Sequence, residues 1–141
     1  MKAEDLRIHN ILSARYSSPM GDIVKWSPVI VDSINNYMKT INTNAGETIE
    51  INKKLLKPET LTEEWLLRLG AKPAIRSPYI DKRAWQWGKD MEAIVWCSNR
   101  LFKYASATEL ICISDWSYEI DSVHRLQNAF AGIGIELTTL V

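Results

Sequence analysis

Four short apolar runs joined by very short connectors constrain this chain more than any other feature. They are "RAWQWG" (83–88), "MEAIVWC" (91–97), "LFKY" (101–104) and "ELICIS" (109–114), linked through "KD", "SNR" and "ASAT". Parallel neighbours need a crossover of about a dozen residues or more, so strands this close in sequence pair antiparallel through hairpins. The spacing predicts an antiparallel meander of about four strands.

A helix precedes the meander and another follows it. In "TLTEEWLLRLG" (60–70), Thr60 is placed to cap and Glu63 to complete a capping box. Glu63 and Glu64 favour the first turn, Leu61, Trp65, Leu66 and Leu69 form an apolar stripe, and Gly70 is a natural stop. Near the C-terminus, Asp121 is the expected cap of a helix whose apolar face is Val123, Leu126, Phe130 and Ile133, closed by Gly132 and Gly134. "IELTTLV" then reads as a final strand, and residues 71–82, with two prolines, as a loop.

The N-terminal part reads as strands. "LRIHNIL" alternates, "SSPMGD" supplies a turn, and "IVKWSPVIVDSI" is rich in β-branched residues, with Pro28 requiring an edge or a bulge. Asn44-Ala45-Gly46 marks a further turn. The fold class expected is therefore α+β. A β-rich lobe over 1–58, SH3-like or a small barrel, is followed over 59–141 by the helix, the antiparallel meander and the C-terminal helix, with the two lobes sharing one core.

Composition narrows the function classes. The chain of 141 residues carries 17 basic and 17 acidic residues, so its formal net charge is zero. Residues 1–58 hold 8 basic and 6 acidic residues and residues 59–141 hold 9 and 11, leaving neither part strongly charged. Non-specific nucleic-acid binding needs an excess of Lys and Arg, so nucleic acid is an unlikely partner. Cys97 and Cys112 lack a C-x-x-C companion, and the histidines are His9 and His124 alone, which disfavours a structural zinc site; no metal or cofactor is expected. The thiols read as buried and reduced, and no apolar run is long enough for a membrane span or a signal peptide, so a cytoplasmic protein is expected. There is no Walker loop and no G-x-S-x-G, and "GIG" at 132–134 follows a helix rather than a strand. A non-enzymatic role is expected.

Three stretches carry a family resemblance: "DLRIHNIL", "LKPETLTEEWLLRLGA" and "VHRLQNAFAGIGIEL". They are similar to small uncharacterised proteins of phages and integrated mobile elements of Bacteroides-type bacteria. That family usually has Gly where this chain has His9, the residue type a turn with positive φ prefers. The resemblance implies a phage origin and action inside an infected cell, and it brings no activity with it.

Two candidate ligand sites stand out. On the last helix, His124, Arg125, Gln127 and Asn128 lie within i, i+3 and i+4 reach, either as a patch of donors and acceptors for a ligand or as side chains that bond nearby backbone. In "KPAIRSPYIDKRAWQW", Arg76, Tyr79, Arg83, Trp85 and Trp87 accompany Lys72 and Lys82 against one acid, Asp81. Alternation puts Arg83, Trp85 and Trp87 on one strand face, where indoles stack on a base and guanidinium groups fork onto phosphate. The same stripe also suits a core or a subunit interface. A weaker cluster, Asp115, Glu119 and Asp121, has the chemistry for a divalent cation or acid–base work, or simply for capping and solvation. Trp26 is either the floor of a peptide groove or an ordinary core residue.

These features lead to an expected function. The chain reads as a phage counter-defence factor that binds a host nucleotide signal without turning it over, as a homo-oligomer with ligand between subunits. The alternatives are a protein-interaction or virion accessory module bound to a host protein, and a small nucleic-acid-binding factor.

Overall fold

The structure, a computed structural model, describes residues 5–15 and 25–138. It is mixed and strand-rich, with two antiparallel five-stranded sheets and two α-helices among the described residues. The chain divides into two units, Met1–Thr60 with Ser122–Gly134, and Leu61–Asp121 with Ile135–Val141. The sequence reading put residues 59–141 in one lobe; the structure returns Ser122–Gly134 to the N-terminal unit.

In the first unit, β1 (Ile11–Ala14), β2 (Ser27–Asn35), β3 (Thr40–Thr43), β4 (Thr48–Glu50) and β5 (Leu56–Pro58) form a sheet in the order β4-β3-β2-β1-β5. The expected closure into an SH3-like or small barrel is not seen among the described residues, because the edge strands β4 and β5 do not pair with each other. Leu12, Ala14, Val31, Ile41, Ile49 and Leu56 pack into one buried cluster. Every residue of β1 is buried, which requires cover on both faces, and α2 (Val123–Gly132) packs against β1. Val123, Leu126 and Phe130 are its fully buried residues.

Pro28 sits where the sheet tolerates it. Val31 bonds to β1 through both its N–H and its C=O, so by alternation the Pro28 nitrogen faces the other side. There β3 has already ended, since its pairing with β2 runs only from Val31 to Asn35. The turn expected at Asn44-Ala45-Gly46 forms, with Gly46 at φ 81°. The turn expected at "SSPMGD" lies outside the described residues.

At the start of β1, His9 takes φ 76° in the turn from Arg7 to Asn10. His9 N–H donates to Val31 O (2.8 Å), while Val31 N–H donates to Asn10 O (2.8 Å), so two residues oppose one. That is the bulge in which the first residue is ordinarily a left-handed glycine. The position thus has a conformation that favours glycine, and a histidine holds it.

In the second unit, α1 (Glu63–Arg68) precedes a sheet of β6 (Lys72–Pro73), β7 (Trp85–Trp87), β8 (Ile94–Cys97), β9 (Arg100–Tyr104) and β10 (Leu110–Cys112), all antiparallel neighbours. The four meander strands form as expected, and β6, read as loop, adds a fifth. Thr62, not Thr60, caps α1, accepting from Trp65 N–H at 3.3 Å, because Thr60 bridges to Ser122 instead. The helix ends in a Schellman motif at Gly70 (φ 93°), with Ala71 N–H bonding Leu66 O and Gly70 N–H bonding Leu67 O. Ser98 and Asn99, both at positive φ, make the two-residue turn between β8 and β9.

Two further expectations shift. Ser122, not Asp121, is the cap residue of α2, and Ile133 lies past the helix end and is exposed. Residues 135–138 are not a strand. No helix among the described residues is long and apolar enough to cross a membrane.

Candidate functional site

The polar row of α2 turns toward its own sheet. Gln127, only 5% exposed, accepts from Ile11 N–H (2.8 Å) through Oε1 and donates to His9 O (2.9 Å) through Nε2. Those backbone groups bracket Asn10 on the side of β1 where β5 has stopped at Pro58, so a side-chain amide completes the ladder. Asn128 accepts from Asn10 Nδ2 (2.9 Å) and donates to Asp5 O (2.9 Å), and Asn10 Oδ1 accepts from Arg7 N–H (2.7 Å). His124 is buried, with Nδ1 at 3.3 Å from Ser122 Oγ, and Arg125 is half-buried. Gln127 and Asn128 thereby fasten the bulge at His9–Asn10, the backbone-bonding alternative of the sequence reading.

The tryptophan stripe is also accounted for within its own unit. Trp85 is 4% exposed, across the sheet from Trp96, and half-buried Trp87 donates from Nε1 to Leu69 O at the end of α1 (3.0 Å). The face shared by Trp85 and Trp87 is therefore the one against α1. Arg83 stands at its rim, over the Trp85 ring at 5.0 Å and paired with Glu63 at 3.3 Å, with 67% of its side chain exposed. Trp26 has two cations over its ring, Arg15 at 4.8 Å and Lys57 at 4.4 Å.

Arg76 and Tyr79 lie on the segment that crosses the opposite face of this sheet. Tyr79 packs edge-on to Phe102, with ring centroids 5.8 Å apart, among Ala84, Val95 and Cys97. Ser77 Oγ lies within hydrogen-bond distance of the Tyr79 and Lys82 carbonyls (2.8 and 2.7 Å), which share its one hydroxyl proton and help hold the segment's shape. Arg76 is exposed and makes no hydrogen bond or ion pair with a described residue. It lines two depressions at once. One, of about 230 Å³, is mainly apolar, with Ile75, Met91, Tyr104 and Ala107 beside Gln86 and Asp90. The other, of about 320 Å³, is polar, formed with Ser77, Pro78, Thr108, Glu109 and Leu110. Arg76 thus places an exposed guanidinium beside both depressions.

The acidic cluster is divided among local tasks. Asp115 Oδ1 accepts from Ser117 N–H (2.9 Å) and Ser117 Oγ (2.7 Å), and these bonds hold its carboxyl below the ordinary aspartate value. Glu119 accepts from Arg100 Nη2 (3.1 Å) and Asn99 Nδ2 (3.0 Å). The sequence reading did not single out Arg100. Its guanidinium lies over the Trp116 ring at 4.6 Å and donates to the Ser98 and Trp116 carbonyls, while its buried Nε has no partner among the described residues. Nothing local in "SNRLF" signals this, because the partners arrive from residues 116–119. Asp90, Met91 and Tyr104 were missed at the apolar depression for the same reason: they meet Ile75 and Arg76 only once the sheet has formed.

No family model, no curated protein and no solved structure matches this chain.

Proposed function

We propose that this protein is a phage-borne, non-enzymatic binding protein that acts in the cytoplasm of an infected cell, where it sequesters a nucleotide-type host signal as a counter-defence factor. One observation carries the reading: the unpaired Arg76 guanidinium stands on the common wall of an apolar and a polar depression. A planar guanidinium forks onto phosphate, and an aromatic ring offers a planar base a stacking surface. Arg76 and Tyr104 supply those two elements. The phage origin rests on the resemblance of the three stretches. The earlier choice of Arg83, Trp85 and Trp87 as the contact surface is set aside, since Trp85 is packed in its own unit and Arg83 is paired with Glu63.

The test is thermal melting of the purified chain with cyclic nucleotides and ADP-ribose-type nucleotides, using inorganic phosphate as the control. A ligand present at about a hundred times its Kd adds about 2.7 kcal/mol to the folded state, a rise of several degrees. Arg76→Ala removes the rise and Arg83→Ala leaves it intact. No rise with any nucleotide refutes the reading. A protein-interaction or virion accessory role has its own support in Ile75 and Ile80, both largely exposed beside Arg76. It predicts a host protein that co-purifies with the chain and is lost on Ile80→Glu. A nucleic-acid-binding role predicts retention on DNA that weakens steeply with salt, and the balanced charge opposes it.

A further inference from the structure

Sheet edges invite association, and natural sheets guard them with charge and proline. Among the described residues this protein presents four edge strands. β5 carries Lys57 and Pro58, β6 is Lys72–Pro73, and β4 carries Glu50 with Glu47 just before it. β10 is different. Leu110, Ile111 and Cys112 hold no charge and no proline within the strand; Glu109 precedes them, and Ile113 follows before Ser114 and Asp115. Ile111 is 47% exposed and Ile113 39%, so this edge presents apolar side chains to solvent.

The backbone of β10 is open in a definite pattern. Ala105 N–H donates to Glu109 O and Ile113 N–H to Leu101 O, both at 2.9 Å. By alternation the peptide groups of Glu109, Ile111 and Ile113 face β9, and those of Leu110 and Cys112 face outward. We infer that β10 is the pairing edge of a two-fold dimer, in which β10 of a second copy lies antiparallel to it about an axis at Ile111.

This register is self-complementary. Leu110 and Cys112 of one copy face Cys112 and Leu110 of the other, so each outward N–H meets an outward C=O. Ile111 faces its own mate as a non-hydrogen-bonded pair, where the Cα atoms come within about 4.5 Å and apolar side chains touch. Glu109 is the one formal charge between Thr108 and Ser114, and it falls opposite Ile113 of the second copy rather than opposite its own mate. No like charges are opposed across the axis. The isologous arrangement also closes, leaving no free β10 edge to propagate a fibre. The pairing does not rest on ligand capture at Arg76.

Sedimentation equilibrium of the full chain, together with disulfide trapping, tests the pairing. The chain sediments as a dimer, and Ile111→Lys returns it to monomer with an unchanged far-UV circular dichroism spectrum, since the side chain replaced is half exposed, and removes the concentration dependence of melting. In a Cys112→Ser background, Ile111→Cys gives a reducible dimer as the main product under mild oxidation. Lys103→Cys, one strand further from the axis, does not. A monomeric chain with no trapping at position 111 overturns the inference. So does a dimer that survives Ile111→Lys, and so does a monomer whose strip is taken instead by an extended segment of a host protein.

Discussion

Gln127→Leu is the change that most directly tests how the first unit is held together. The glutamine amide satisfies two buried backbone groups, Ile11 N–H at 2.8 Å and His9 O at 2.9 Å. Leucine has nearly the same size and neither polar atom. Each buried group left without a partner costs about 1–3 kcal/mol. Two such groups cost roughly 2–6 kcal/mol, and the apolar burial gained by leucine returns about 1.5–3 kcal/mol at most. Asn10 keeps its bond to Asn128, so the bulge loses one fastening rather than both. The expected net loss, taken from the middle of both ranges, is about 2 kcal/mol. Urea denaturation followed by far-UV circular dichroism measures it. Tryptophan fluorescence is a second channel, because Trp65, Trp85, Trp87, Trp96 and Trp116 belong to the second unit and Trp26 to the first. Hydrogen exchange then localises the damage, as the Ile11 amide loses protection while amides of β8 and β9 keep theirs. Gln127→Glu separates the two bonds. It retains an acceptor for Ile11 N–H but sets a buried charge against the His9 carbonyl. Burial raises a carboxyl's folded-state pKa, so this variant is penalised at neutral pH and recovers as pH falls and the group protonates. A Gln127→Leu protein within about 0.5 kcal/mol of the parent, with the Ile11 amide still protected, would refute the reasoning.

His9→Gly should stabilise the chain by about 1 kcal/mol, because a non-glycine residue held near φ 76° carries about 1–2 kcal/mol of steric strain and glycine returns part of the gain through its freer unfolded state; thermal melting reads the sign directly. Trp85→Ala should cost about 3–5 kcal/mol as a core truncation, whereas Arg83→Ala stays within about 0.5 kcal/mol because its pair with Glu63 is solvated; equal effects would mean that the two act together as a site. Ser117→Ala should let the Asp115 carboxyl titrate back toward the ordinary aspartate value, observable by NMR. The sign follows from the lowered folded-state value: the stability Asp115 contributes is present above the unfolded aspartate pKa and is lost as pH falls through the folded one, so Ser117→Ala flattens the acid limb of the stability curve.

Much of the architecture was legible because the signals were local. Gly70 at the end of α1 is capping chemistry within a few residues, and the meander follows from connectors too short for anything else. The misplaced cap shows the limit of such signals. "TLT" offers two threonines, and the choice fell to Thr62 because Ser122, far along the chain, takes the backbone of Thr60. The packing partner of α2 was not legible either. Val123, Leu126 and Phe130 state that one face is apolar but not which sheet it meets; that is decided by β1, which needs cover on both faces. Alternation put Trp85 and Trp87 on one face correctly, and it carries no information on whether that face is covered. Arg76 shows the converse. Its interest comes from neighbours at 90–91, 104 and 107–110, none of which could be placed beside it from spacing alone.

The same contacts join the two ends of the first unit. "DLRIHNIL" and "VHRLQNAFAGIGIEL" lie at opposite ends of the chain, yet they are bonding partners in the first unit. Asn10 meets Asn128, Ile11 and His9 meet Gln127, and the Asp5 carbonyl meets Asn128. Substitutions at such partners are coupled in energy, because removing either one strands a buried polar group in the other. These contacts close the first unit and spend its polar side chains on backbone, so binding chemistry is to be sought elsewhere, at Arg76 with its two depressions and at the open edge of β10.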